Sequence, residues 1–517
     1  MDQGRGALYF SRFSRSVKIS EIAALSVLGR CLPGEQLKKA VRRSWAAKMV
    51  GLRGVPMKFS QILSITRNED LASIQQEALA ELEPLPLDQI LHYVKEHAPD
   101  LWGRMESISE SGIPASLGQV HQVKLDSGEV CALKVKYPGI EHNMELDSAL
   151  LGMMTRTFHH FKEGFDLQDY DAVIKNELEE ELNYTSELNK QQKMFAGHMM
   201  SVNVVIPRAF VEYCRDDHIL MQWEEGLFLS EFLTVATPRE KQQAADALLD
   251  FFLKNLFQIG MLHADPNLGN FAFRRTGQGV KLVVYDYGSV IPFPRRNALI
   301  LLKIIKMVEE GKGDVMPWLV EMGFSPEPLS VLRTRLLAFF DLLLEPLLSA
   351  GRYELGRWNR KQRAQEILGP ERWNFIIAAP ASFLPFMRAI QGLFYYTKEL
   401  GTGIFARPLL EQYRNQWEAE VEGLTTTLSE DAMRQTEMAA HLKILVLKNG
   451  QTHVSLTFPR RAVENLENLM EEELQEKLKS QNVSLDEVLR KCRENGYQAM
   501  TLFEYQNGQK TIKVFLE

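Results

Sequence analysis

The 517-residue chain has only four cysteines, Cys31, Cys131, Cys214 and Cys492, and no two of them form a C-x-x-C pair. That excludes a disulfide-stapled scaffold, a zinc ribbon and thioredoxin-like chemistry, and reads as buried thiols in a reducing compartment. Long apolar runs are also missing. No stretch approaches the roughly 20 residues needed to span a bilayer. The apolar segment from Trp373 to Met387 is broken by Pro380 and Pro385, and that from Leu336 to Leu348 by Asp341 and Glu345, so both read as buried helices. There is no apolar core of a secretory signal. Nor is there an excess of one charge: 60 Lys and Arg face 67 Asp and Glu, a net charge of −7. Nothing in that balance favours nucleic acid. With 45% hydrophobic and 25% charged residues the composition is that of a soluble globular chain, long enough for two to four domains at roughly 100–200 residues each.

The texture changes along the chain. Between Asp2 and Glu21 lie Arg5, Arg12, Arg15 and Lys18 with several serines and no acid, a pattern shared by organellar transit segments and by basic helices that touch anionic lipid. Helical patterns run to about residue 107, with one helix over Leu87–His97. From there to about 225 strands dominate. Gly118–Leu125 and Val130–Val135 flank Asp126-Ser127-Gly128-Glu129, a hairpin by its turn chemistry. An acidic helix is expected over 169–193, and strands near Val204–Phe210 and His218–Trp223. Residues 226–430 are mostly helical, interrupted by strand-like runs at Asn270–Arg274 and Val280–Tyr285. Residues 438–517 form a separable ββααββ unit, whose hairpins turn at Asn449-Gly450 and Asn507-Gly508 and whose helices cover Ala462–Met470 and Leu485–Glu494.

Three short signals carry chemistry. Val130-Cys131-Ala132-Leu133-Lys134 ends an apolar strand on a lysine, the arrangement with which kinases hold α- and β-phosphates. His263-Ala264-Asp265-Pro266-Asn267-Leu268-Gly269-Asn270 sets a carboxylate and an amide on one loop, with Pro266 and Gly269 opposing a helix. Asp286-Tyr287-Gly288 closes a buried strand with an acid, and Asp286 with Asn270 supplies the hard oxygens that Mg²⁺ prefers. The order along the chain is that of a kinase: strand lysine, catalytic loop, metal carboxylate. Which acid of the run Glu177–Glu187 serves Lys134 is left open by spacing. Two kinase parts are absent: a G-x-G-x-x-G turn before the first hairpin, and an A-P-E segment with room for an activation loop. In the former place stands Ile113-Pro114-Ala115-Ser116-Leu117-Gly118, whose hydroxyl and backbone N–H groups suit phosphate.

The chain resembles the UbiB/ABC1/ADCK (AarF-like) atypical kinases over about residues 50–420. Lys58-Phe59-Ser60-Gln61 corresponds to the K-x-G-Q signature, Ala115–His121 to the alanine-rich loop, and Ala132–Gly139 to the A-x-K-x-Q-Y-P-G strand. Glu181–Glu187 corresponds to E-x-D-Y-x-x-E, followed by H-x-D-P-x-x-x-N and D-F/Y-G. The resemblance implies an α+β, protein-kinase-like two-lobed fold. An N-terminal helical extension (1–107) would precede an N-lobe (108–225) and a helical C-lobe (226–430), with the small C-terminal unit (438–517) appended. It implies ATP and Mg²⁺ as cofactors. Asp265, Lys134 and Lys58 would be catalytic, with Lys58 reaching into the cleft and restricting protein substrates. Ala115, Ser116, Lys134, Glu181, Glu187 and Gln61 would serve the nucleotide site, Lys134 pairing with Glu181 and Glu187 facing the extension. Asn270 and Asp286 would bind the metal. Ser60, Asn183 and the shortened alanine run depart from the family pattern. So does the C-terminal α/β unit, which stands where quinone-linked members often carry membrane helices. The expected activity is an atypical kinase or ATPase in lipid or isoprenoid-quinone metabolism. The location expected is the cytoplasm, peripheral to a membrane, or alternatively the mitochondrion. The competing readings are a phosphotransferase of the aminoglycoside or choline kinase type and a non-catalytic, nucleotide-gated scaffold.

Overall fold

The computed structural model describes residues 35–52, 82–115, 117–137, 180–427, 436–449, 451–470, 483–507 and 510–517, with a few isolated positions between them. The chain divides into two compact units. One comprises residues 1–255, 261–292 and 381–396, the other 256–260, 293–380 and 397–517.

In the first unit, an antiparallel sheet runs in the order Met105–Ile108, Gly118–Leu125, Val130–Lys136, His218–Gln222, with Ile113–Pro114 paired to the second strand. Alternation sets its faces: Val123, Leu125, Cys131, Leu133 and Val135 are buried, whereas Gln122, Lys124 and Val130 are exposed. Gly118 is needed because a Cβ there would lie 2.2 Å from the Val135 carbonyl oxygen. A second sheet has the order Val204–Val205, Gly279–Val284, Phe271–Thr276, Leu227–Phe228. The strand expected over Val204–Phe210 stops at Val205, two residues before Pro207, which has no N–H to give a ladder. The helix Pro238–Lys254 starts on a capping box, in which the Thr237 side chain accepts from the Glu240 N–H and the Glu240 carboxylate accepts from the Thr237 N–H. It buries Ala244, Leu248, Phe251 and Phe252.

The long acidic helix expected over 169–193 differs from what is described. Residues 169–179 lie outside the described residues, and helix breaks at Leu182–Asn183. Asn183 then caps a new helix, Tyr184–His198, its side chain accepting from the Ser186 N–H at 2.9 Å.

The second unit contains the helices Arg295–Glu310, Arg333–Leu348 and Arg360–Leu368 and, after them, a four-stranded antiparallel sheet. The sheet order is Gln451–Pro459, His441–Lys448, Lys510–Leu516, Met500–Asn507. Asn449 takes φ 53° in the first hairpin, as an Asn-Gly turn requires. The helix Leu485–Glu494 forms where expected, but Arg460–Leu469 is a 3₁₀ stretch kinked at Asn465. Ion pairs tie this small sheet to the helices of its own unit: Arg461 and Arg460 to Asp341, Arg493 to Glu366, and Glu464 to Arg363. The reading of two buried apolar helices holds for Leu336–Leu348 and fails for the other. Trp373 and Ile377 are 40% and 49% exposed on the short helix Trp373–Ala378. Among the described residues no single helix is long and apolar enough to cross a membrane. Cys131, Cys214 and Cys492 are buried free thiols, and burial pushes them up to about 11, about 11 and about 12.

Candidate active site

Lys134 lies on the central strand of the five-stranded sheet, opposite Val120 on one side and Ile219 on the other. Its Nζ meets Glu187 Oε1 and Asp286 Oδ2, each at 2.6 Å. The lysine side chain is 9% exposed and that of Glu187 only 1%, so these charges interact with little screening by water. Burial works against the lysine's charge, but the carboxylates of Asp286 and Glu187 outweigh it and hold its pKa well above the ordinary value. Burial, with Asp286 as a like charge, raises the Glu187 carboxyl even though Lys134 opposes the shift. The Tyr184 ring lies 5.2 Å from both Lys134 and Lys136.

This pairing corrects one expectation. Lys134 takes Glu187, not Glu181, as its helix partner. The break before Tyr184 is the reason: it leaves Glu181 ahead of the cap and puts Glu187 in the first turn of the new helix. Glu181 accepts instead from Ser289 Oγ at 2.8 Å, just after the Asp-Tyr-Gly triplet. Lys190, which the sequence did not single out, bonds Glu180 and the Gly288 carbonyl.

The triplet is held by its backbone. The Gly288 N–H donates to Asp286 Oδ1 at 3.0 Å, the Tyr287 N–H to Glu187 Oε1 at 3.3 Å, and His263 Nε2 to the Asp286 carbonyl at 2.8 Å. His263 thus holds the Asp286 backbone from the strand Met261–His263, which pairs antiparallel with Val290–Pro292 just after the triplet. The catalytic-loop motif closes on itself. Asn270 Nδ2 donates to Asp265 Oδ2 at 3.1 Å, and the Asn270 carbonyl accepts from the Tyr285 N–H at 3.0 Å. That second bond joins the loop to the strand ending at Asp286. Ala115 is half-buried in a turn, its N–H donating to the Gly118 carbonyl at 2.8 Å. Lys58, Gln61 and Ser116 lie outside the described residues.

The donors suit a hard cation. Asn270 spends its amide N–H groups on Asp265, leaving the amide oxygen as an acceptor, and the Asp286 side chain is 28% exposed. Among the described residues no group of three or more His, Cys, Asp and Glu side chains gathers to cage a metal. An amide and a carboxylate alone fit Mg²⁺ that arrives with phosphate oxygens completing its shell.

The family model of the ABC1 atypical kinase-like domain matches residues 80–315. Residues 80–315 are thus similar to an ABC1 atypical kinase-like domain. The fold of the chain is protein-kinase-like, α+β. The chain is similar to the atypical kinase COQ8, mitochondrial, of Saccharomyces cerevisiae, at 27% identity over 48% of this chain and 50% of that one. It thus spans about half the length of the yeast relative. It is also similar to the atypical kinase COQ8B, mitochondrial, of Rattus norvegicus, at 23% identity over 77% of this chain and 78% of that one. Among solved structures, a complex of Rv3197 with erythromycin from Mycobacterium tuberculosis aligns with a TM-score of 0.49 and 19% identity, covering 78% of this chain and 98% of that one. The ABC1 domain match contains Lys134, Glu181, Glu187, Asp265, Asn270 and Asp286.

Proposed function

We propose that this ABC1-type chain binds ATP with Mg²⁺ and transfers or hydrolyses the terminal phosphate, as an atypical kinase or ATPase. The observation that carries this reading is the buried Lys134, bonded at once to Glu187 and Asp286. Two carboxylates around one lysine leave a surplus negative charge, and one of them, Asp286, is the more exposed. Mg²⁺ would be held by Asp286 and Asn270, and supplies charge neutralisation to the phosphate oxygens. Lys134 keeps Glu187 as its anchor and turns its remaining N–H donors to the phosphates. Asp265 would face the hydroxyl or water that accepts the phosphoryl group, and Ala115 and Ser116 would lie over the nucleotide. Glu181 positions the Asp-Tyr-Gly triplet through Ser289. Phosphoryl transfer needs positioning and electrostatic stabilisation more than covalent help, and these residues supply both. Lys58 would restrict the acceptor to a small molecule, for which a lipid or isoprenoid is the proposed class, and Gln61 would serve the nucleotide site. The mitochondrial names of the yeast and rat relatives, with the basic, serine-containing N-terminus, favour a mitochondrial location over a cytoplasmic one.

The test is a nucleotide-dependent thermal shift. Wild-type protein gains stability as Mg-ATP rises, by RT ln(1 + [L]/Kd). Asp286→Asn should show no Mg-dependent gain. An unchanged shift in that variant would sink the metal assignment.

A further inference from the structure

The helix Leu384–Glu399 lies far along the chain from the catalytic-loop motif, yet residues 381–396 belong to the same compact unit as the loop. Its residues 388, 392 and 396 recur every four positions and so share one face. Each of them meets a consecutive residue of the loop. Arg388 Nη2 lies 3.7 Å from Asp265 Oδ1. Gly392 abuts Pro266 so closely that a Cβ would come within 2.4 Å of the proline Cβ. The Tyr396 hydroxyl donates to the Asn267 carbonyl at 3.1 Å, and its ring packs edge-on against Phe271 at 5.5 Å.

Arg388 is only 1% exposed, among the largest fully buried side chains of the protein. A buried guanidinium costs desolvation that an apolar residue of similar size avoids, so stability alone is a poor reason to keep it. A planar, permanently charged group beside a carboxylate instead fixes where that carboxylate sits. The cavity left between helix and loop, lined by His263, Pro266, Gly392 and Tyr396, measures about 30 Å³, the space of about two waters.

We infer that the 388/392/396 face is a platform that sets the catalytic loop, with Arg388 as the positioning residue for Asp265, Gly392 as the contact that admits Pro266, and Tyr396 as the latch on Asn267. This rests on the proposed phosphoryl-transfer reading. Lys134 bonds Glu187 and Asp286, whereas Arg388 sits against Asp265, so the platform acts on turnover more than on nucleotide capture.

The experiment measures ATP hydrolysis and the Mg-ATP thermal shift on full-length protein. Arg388→Met should lower kcat about 100-fold, the scale of a misplaced catalytic group, with KM for ATP and the thermal shift within about twofold of wild type. Arg388→Lys should recover part of the loss, since it restores the charge but not the plane. Tyr396→Phe removes one hydroxyl and should lower kcat about fivefold, the worth of one ordinary hydrogen bond. It carries the test if Arg388→Met does not fold. A wild-type protein without ATP binding or turnover overturns the functional reading itself. A wild-type protein that turns over, with Arg388→Met or Tyr396→Phe keeping kcat within twofold, overturns the platform alone. So does a parallel loss of the thermal shift, which marks general damage.

Discussion

Two buried ion clusters, one in each compact unit, are built to opposite specifications. Around Lys134, one flexible cation serves two carboxylates, and Glu187 Oε2 is buried without a hydrogen-bond partner among the described residues. In the other unit, arginines serve Glu464 and Asp341. Both Glu464 oxygens bond Arg493, Tyr497 adds a hydroxyl at 2.5 Å, and both Asp341 oxygens are taken by Arg460 and Arg461. The proton affinities follow. Burial raises Glu187 in spite of its lysine, whereas arginines overcome burial at Glu464 and Asp341 and hold both below the ordinary carboxylate range. A network in which arginines and a tyrosine take every oxygen of Glu464 and Asp341 serves architecture, because neither carboxylate has an oxygen left for a ligand. An under-saturated lysine cluster has bonding capacity to offer a ligand.

The sharpest way to break this contrast is to remove the lysine. Lys134→Met should reduce ATP turnover by about 100- to 1000-fold, as loss of a preorganised electrostatic donor does. Stability should fall less than a broken buried pair usually implies, because burial already raises the Glu187 carboxyl, which can take up a proton once the lysine is gone. A kinetic assay beside a denaturant melt checks both halves. Next comes Glu464→Ala. It strips Arg363 and Arg493 of a shared carboxylate and should cost about 3–5 kcal/mol in denaturant unfolding, with the Mg-ATP thermal shift retained. Loss of that shift would erase the distinction between the clusters.

The smallest effect is in pH dependence, and its sign differs between the two. Glu464 and Asp341 are lowered from their ordinary values of 4.5 and 3.8, so they contribute stability that is present above those values and lost as pH falls from them through the lowered ones. Glu187 is raised from 4.5, so the native state binds the extra proton. Its contribution is therefore fully present below 4.5 and fades as pH rises toward the raised value. Glu464→Gln should flatten the acid side of a stability–pH curve, and Glu187→Gln the side above 4.5. Identical curves for the two variants would refute the contrast.

The order of strand lysine, Asp265–Asn270 loop and Asp286 triplet was legible because each is local, a few residues wide and punctuated by proline or glycine. So were the C-terminal hairpins, where Asn-Gly selects the turn. The partner of Lys134 was not, since several glutamates crowd one run and the choice rests on a cap at Asn183 that shifts which of them faces the strand. The family pattern favoured Glu181, and the break in the helix overrode it. Arg388, Gly392 and Tyr396 escaped notice for another reason. Their four-residue period was visible, but an arginine in an apolar stretch reads as a snorkelling side chain until its partner, more than a hundred residues away, is known. The arginine network of the second unit is equally nonlocal, with Asp341 and Arg461 separated by 120 positions.

The latch from Tyr396 to Asn267 also has a meaning in time. The two residues are 129 positions apart. A ribosome adding about 5–20 residues per second needs about 6–26 s to cover that interval. Throughout it the nascent catalytic loop exists without the helix that sets it. The strands on either side of the loop can pair at once, but a working site has to wait for the late helix to emerge. A polypeptide released after residue 315, with the whole ABC1 domain match already made, would hold Lys134 and Asp286 and still lack the means to fix Asp265.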